Sequence, residues 1–121
     1  MRYFAFEVGY INAMYWTDEE EHKGHRLARS TRVAIERDCL AFWQEHNDKL
    51  GGEGISEERA REAGRDFYLT RCGHGAGFWD GDWPEHGDTL TQASEAFGEV
   101  EPYVGDDGFI YIVGEENTTD A

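Results

Sequence analysis

The sequence predicts a single α+β domain in which N-terminal helices pack on a small antiparallel sheet with one inserted helix. Three observations lead there. Apolar residues recur at helical spacing as far as Gly64, aromatic and β-branched runs between glycines follow, and an Asp-Gly pair at 107–108 separates two β-like runs near the C-terminus. With 121 residues, 39% of them hydrophobic and 14% aromatic, the chain has apolar mass for one core and too little for two. It divides into a helical part (1–64), a sheet-containing part (65–114) and a flexible acidic tail (115–121).

The first element runs from Tyr3 to Trp16, where Phe4, Val8, Ile11, Met14 and Tyr15 keep helical spacing across the interruption at Gly9. Asp18 to Gly24 reads as a charged turn. Ser30 or Thr31 then caps a central helix carrying Val33, Ile35, Leu40, Phe42 and Trp43, closed after Leu50 by Gly51-Gly52. Ser56 caps a short third helix through Glu57, Glu58 and Arg59, and Gly64 ends it. Asp66 to Cys72 is rich in aromatic and β-branched types and reads as a strand. Gly73, Gly75 and Gly77 reverse the chain into a short returning strand at Phe78-Trp79, and an irregular loop held by Pro84 follows. Asp88 caps a helix over 89–97 with Leu90, Ala93 and Phe97 on one face and Gly98 as its end. The last element is a hairpin, 100–105 and 109–113, turning at Asp106-Asp107-Gly108. Alternation sends Ile110 and Ile112 to one face and Phe109 and Tyr111 to the other.

Charge is the most informative quantity. The 26 acidic residues outnumber the 11 Lys and Arg, for a net charge of −15. All the Lys and Arg lie within 1–71; the segment from Cys72 to Ala121 has none and carries a net −12. Such a surface repels DNA, RNA and anionic membranes, so a charged partner should be basic. No run approaches the roughly 20 apolar residues of a membrane helix, and the opening residues lack a charged region, an apolar region and a cleavage site, so a soluble, unexported protein is expected. Cys39 and Cys72 are too few for a disulfide framework and point to a reducing cytoplasm.

No catalytic signature of high specificity stands out. The glycines around His74 lack the Lys of a phosphate loop and the strand–GxGxxG–helix context of a dinucleotide site, so this loop reads as a tight reversal beneath aromatic rings. Asp80, Asp82, Glu85 and Asp88, with His86, offer oxygen ligands but miss the calcium-loop pattern, having Pro84 and Glu85 where a donor and a glycine belong. His22 with His25, and Cys39 with His46, do not complete a zinc set. Cys72 and His74 are close in sequence, yet a nucleophilic pair also needs an orienting group and an oxyanion site. No cofactor, no metal and no enzymatic activity are expected.

The segment Asp66 to Asp80, DFYLTRCGHGAGFWD, resembles one found in small proteins of tailed bacteriophages, whose usual form has Trp at the position of Tyr68 and Asn at that of Cys72. The run from Ala93 to Ile112, with FGEVEPYVGDDGFIYI, is similar to the same family's closing hairpin. The resemblance implies a viral accessory product acting in the host bacterial cytoplasm. Combined with the acidity, it leads to an expected inhibitor of a host nucleic-acid-binding defence factor, of anti-CRISPR or anti-restriction type, that presents carboxylates in place of phosphates. The expected partner is therefore a basic, nucleic-acid-binding host protein or complex, with neither nucleic acid nor membrane touched directly and the oligomeric state open. The expected contact residues are Asp80, Asp82, Glu85, Glu99, Glu101, Asp106 and Asp107, with Trp83 as an aromatic anchor. The competing expectations are a phage structural or assembly accessory and a small hydrolase using the 72–88 loop.

Overall fold

The computed structural model describes residues 2–73, 77–78 and 83–116. Its elements are α1 (Tyr3–Thr17), α2 (Glu19–His22), β1 (Arg26–Leu27), α3 (Arg29–Leu50), a single 3-10 turn (Gly52–Gly54), α4 (Glu57–Cys72), α5 (Gly87–Glu95), β2 (Pro102–Val104) and β3 (Phe109–Ile112). Helices packed on a small sheet make this an α+β fold, as expected.

The main departure lies in α4. Ser56 does cap it, accepting a 3.0 Å hydrogen bond from the Arg59 amide. The helix does not stop at Gly64, however, and residues 66–72 are its last two turns rather than a strand. Gly64 is buried where α4 presses on α1: a Cβ there would collide with the Phe6 carbonyl oxygen and sit 2.9 Å from the Tyr10 amide nitrogen. Gly9 makes the reciprocal approach to the Arg61 backbone. The glycine marks a backbone contact between helices, not a helix end. Thr70, a strand-favouring type, is accommodated because its hydroxyl donates to the Asp66 carbonyl at 2.7 Å and accepts from the Phe78 amide at 3.2 Å. The true terminator is Gly73, in the left-handed conformation at φ 69°.

Three boundaries also shift. Asp18 to Gly24 contains the short helix α2. Helix α3 begins at Arg29, its N-cap is Ala28 without a side-chain cap bond, and Thr31 is instead turned inward to donate to the Ile110 carbonyl at 2.7 Å. Helix α5 begins at Gly87 with His86 at the cap position, so Asp88 sits in its first turn. Phe78 lies in a turn rather than a returning strand, and Trp79 and His74 fall outside the described residues.

The hairpin forms as expected, with β2 antiparallel to β3 and Tyr103 opposite Tyr111. The sheet is mixed, not purely antiparallel: β1, two residues long, pairs in parallel with β3, which becomes the middle strand. Ile110 and Ile112 are buried, whereas Phe109 is 41% exposed and Tyr111 is half-buried, matching the alternation. One hydrophobic cluster joins all the long helices and the sheet. At its centre Phe42 stacks on Phe67 with centroids 4.2 Å apart, and on Phe6 and Phe78 at 5.8 Å each. Cys39 is fully buried in this core.

Candidate acidic interaction surface

Local chemistry decides which of the predicted contact residues reach solvent. In the hairpin turn, Asp107 accepts a 2.5 Å hydrogen bond from the Tyr111 hydroxyl through one oxygen and a 3.0 Å bond from the Phe109 amide through the other. The Tyr111 hydrogen bond, then the Phe109 amide, hold this carboxyl below its ordinary range. Asp107 is thus both a turn-forming residue and an exposed anion, and Asp106 beside it is exposed. Across the strand pair, Tyr103 packs edge-on against Tyr111, with centroids 6.0 Å apart, and donates to Glu116 at 2.8 Å. The outer face of the hairpin therefore carries Tyr103 and Tyr111 with the Glu116 and Asp107 carboxylates on their hydroxyls, and Phe109 opposite Arg26 of β1.

Glu99 and Glu101 are exposed on the segment leading into β2. They line a hollow of about 270 Å³ whose other walls include Asp18, His22, Tyr68 and Cys72. Helix α2 packs beside β2, so the acidic run from Asp18 to Glu21 joins the same edge of the molecule. The sequence places these four acids far from the C-terminal half; only the fold adds them to it. Glu85, although exposed, belongs elsewhere, in a hollow shared with Lys49, Arg59 and His86. Asp80 and Asp82 lie outside the described residues.

Trp83 is a correction. It is 6% exposed, its indole N–H donates to the Asp66 carboxylate at 2.7 Å, and the Arg59 guanidinium lies 3.6 Å over its ring. This places it as an anchor of α4 and the core, where it is unable to meet a partner without unfolding the 83–86 segment. Among the described residues after α4, the aromatic side chains that face outward belong to the hairpin.

The hollow holds a thiol, an imidazole and carboxylates, so its chemistry bears on the hydrolase alternative. His22 is 1% exposed; its Nδ1 lies 3.1 Å from the Met14 carbonyl oxygen, and its Nε2 has no partner among the described residues. Nothing in the sequence singled out His22 from His25 as a buried residue, because the α2 fold that buries it spans only four residues. Cys72 donates weakly to the Val100 carbonyl at 3.7 Å, and burial pushes its thiol above the ordinary range despite the Tyr68 hydrogen bond and Arg71, which act in the opposite direction. A nucleophilic cysteine needs the opposite shift. Among the described residues, no three His, Cys, Asp or Glu side chains come together as a metal site. The Cys72–His74 pairing itself rests on a residue outside those described.

These thiols give a first expected result. In the native protein a disulfide reagent such as DTNB should label Cys72 more slowly than a free cysteine peptide at the same pH. Cys39, whose thiol burial also pushes up, should react only on unfolding. Labelling of Cys72 faster than the peptide would reveal an activated thiol and restore the hydrolase alternative.

No family model matches the chain, and neither a curated protein nor a solved structure matches it. No helix among the described residues is long and apolar enough to cross a membrane.

Proposed function

We propose that this is a non-catalytic acidic docking protein, encoded by a tailed bacteriophage, that occupies the Lys/Arg-lined channel of a host nucleic-acid-binding defence factor in the bacterial cytoplasm. The observation that carries the reading is the acidic edge of Glu99, Glu101 and the Asp18–Glu21 run, from which β2 leads to the hairpin with Asp106 in its turn and the outward Tyr103, Phe109 and Tyr111. The carboxylates take the place of phosphates, steer association and confer salt sensitivity, while the rings supply desolvated contact area. Glu115 and Glu116 contribute less, since Arg37 pairs with the first at 2.9 Å and Tyr103 engages the second.

The test reverses charge where the fold does not need it. Protein immobilised on resin should capture from bacterial lysate a basic DNA-binding partner that duplex DNA elutes. The triple variant Glu99→Lys, Glu101→Lys, Asp106→Lys should keep its circular dichroism and lose roughly tenfold or more in affinity, because exposed pairs are worth about 0–1 kcal/mol each and tenfold needs about 1.4 kcal/mol. The loss should resemble that caused by raising salt. Undiminished binding by the reversed protein at low salt would defeat the proposal, and stoichiometric presence in purified virions would replace it with an assembly role.

A further inference from the structure

Helix α1 carries apolar residues on every side, interrupted by Glu7 and Asn12, a pattern closer to that of a helix covered all round than to an amphipathic one. Its inner side, including Phe6, Tyr10 and Ala13, is buried in the core. The opposite side is only partly covered. Phe4, Val8, Ile11 and Tyr15, at i, i+4, i+7 and i+11, form one stripe on which Phe4 is 71% and Val8 42% exposed. Trp16, 64% exposed, borders it. Helix α1 is about 22 Å long at 1.5 Å per residue, and along it Phe4 and Val8 are the open part of an apolar ridge that Ile11 and Tyr15, partly buried against the core, continue.

The charges flanking the ridge identify its occupant. The groove between α1 and α3 is lined by Glu7, Glu36, Arg29 and Arg32, and that between α1 and α4 by Glu58, Glu62, Arg61 and Arg65. Four carboxylates thus accompany four guanidinium groups in a chain whose net charge is −15, so this face is less repelled by an identical face than the acidic edge is. Along one rim the charges are also ordered. Helix α4 runs parallel to α1, with Ile55 beside Arg2 at one end and Cys72 beside Asp18 at the other. Helix α3 runs antiparallel, with Trp43 beside Tyr3 and Arg29 in the groove beside Ile11. The α3 rim is therefore acidic towards the N-terminus of α1, with Glu7 and Glu36, and basic towards its C-terminus, with Arg29 and Arg32, whereas the α4 rim alternates Glu58, Arg61, Glu62 and Arg65. Arg2, at the acidic end, turns away to donate to the Ile55 carbonyl at 3.0 Å.

A two-fold axis crossing the ridge reverses one α1 against the other and keeps each rim facing its own copy, so at the α3 rim the acidic end of one copy falls on the basic end of the other. We propose that the protein forms an antiparallel two-fold dimer in which the α1 ridge packs on the α1 ridge of a second copy. The ridge and its rims fall short of the about 20–30 residues a side of a standard interface, so the dimer is weak and concentration-dependent. This inference is independent of the acidic docking surface, which lies on other elements.

Sedimentation velocity on the full chain at low salt, over roughly 1–100 µM, reads the outcome. The parent should shift from monomer to dimer across that range. Val8→Glu, on the exposed stripe, should keep the parent circular dichroism and weaken association at least tenfold. Arg32→Glu and Glu36→Arg should each weaken self-association, whereas an equimolar mixture of the two should regain dimer, because each variant's altered rim then meets an opposite charge. A parent that stays monomeric throughout overturns the proposal and leaves the ridge to a different protein. A Val8→Glu protein that dimerises like the parent, or a mixture that regains nothing, overturns it as well.

Discussion

Replacing Gly64 by alanine should destabilise the protein by about 2–4 kcal/mol, although the same change in a solvent-facing helix stabilises by about 1 kcal/mol. The sign reverses because the new methyl group has nowhere to go. Its nearest neighbours are the Phe6 carbonyl oxygen and the Tyr10 amide nitrogen, both backbone atoms, and Gly9 locks the same crossing from the other side against Arg61. The helices must separate, loosening the packing of Phe67 against Phe6 and Tyr10, at centroid distances of 5.9 and 5.4 Å, and of Tyr68 against Tyr10 at 5.2 Å. Urea unfolding measures it through the transition midpoint. Gly54→Ala is the control, since no atom lies within 4 Å of a Cβ there and its φ is not positive. A Gly64→Ala protein as stable as the parent would show that α1 and α4 do not make this close approach.

Arg71 carries the second large effect. It is 8% exposed, and its guanidinium donates to the Tyr10 hydroxyl and the Asp38 carboxylate, each at 3.0 Å, and to the carbonyls of Gly98 and Phe97 at 2.9 and 3.3 Å. One side chain thereby ties α4 to α1, α3 and the chain beyond α5. Arg71→Met keeps much of the volume but leaves a largely buried carboxylate with only its Arg37 partner, together with an unsatisfied hydroxyl and two carbonyls. The expected loss is about 3–5 kcal/mol, which in a domain of this size lowers Tm by roughly 10–20 °C. Arg71→Lys should recover little, since a single ammonium does not span the fork of acceptors. Calorimetry decides, and a Tm within a few degrees of the parent would show that the network contributes little.

These two residues mark the boundary between what the sequence by itself determined and what tertiary structure decided. Local signals determined the elements whose ends are built from local chemistry. The Ser56 cap, the Gly51 stop after Leu50, and the Asp-Gly turn with Ile110 and Ile112 directed inward all hold because each depends on residues within a few positions. The segregation of charge was legible as well, because it is a count along the chain. The second half of α4 was not. From Asp66 to Arg71 every residue is buried, so the helix there has no polar face and therefore no helical period to detect, while its aromatic and β-branched types favour the strand reading. Gly64 reads identically as a helix end or as a contact point; only the backbone of α1, more than fifty residues earlier, distinguishes them. Strand β1 is two residues long and exists only because β3 is there to pair with it. The same reasoning separates the site residues. Exposure of Asp106 follows from its position in the hairpin turn and that of Glu99 and Glu101 from alternation about the buried Val100, but the burial of Trp83 against Asp66 and the arrival of Asp18–Glu21 beside β2 depend on partners distant in sequence. Long-range packing selects among conformations that local preference leaves close in energy, and no local pattern records that choice.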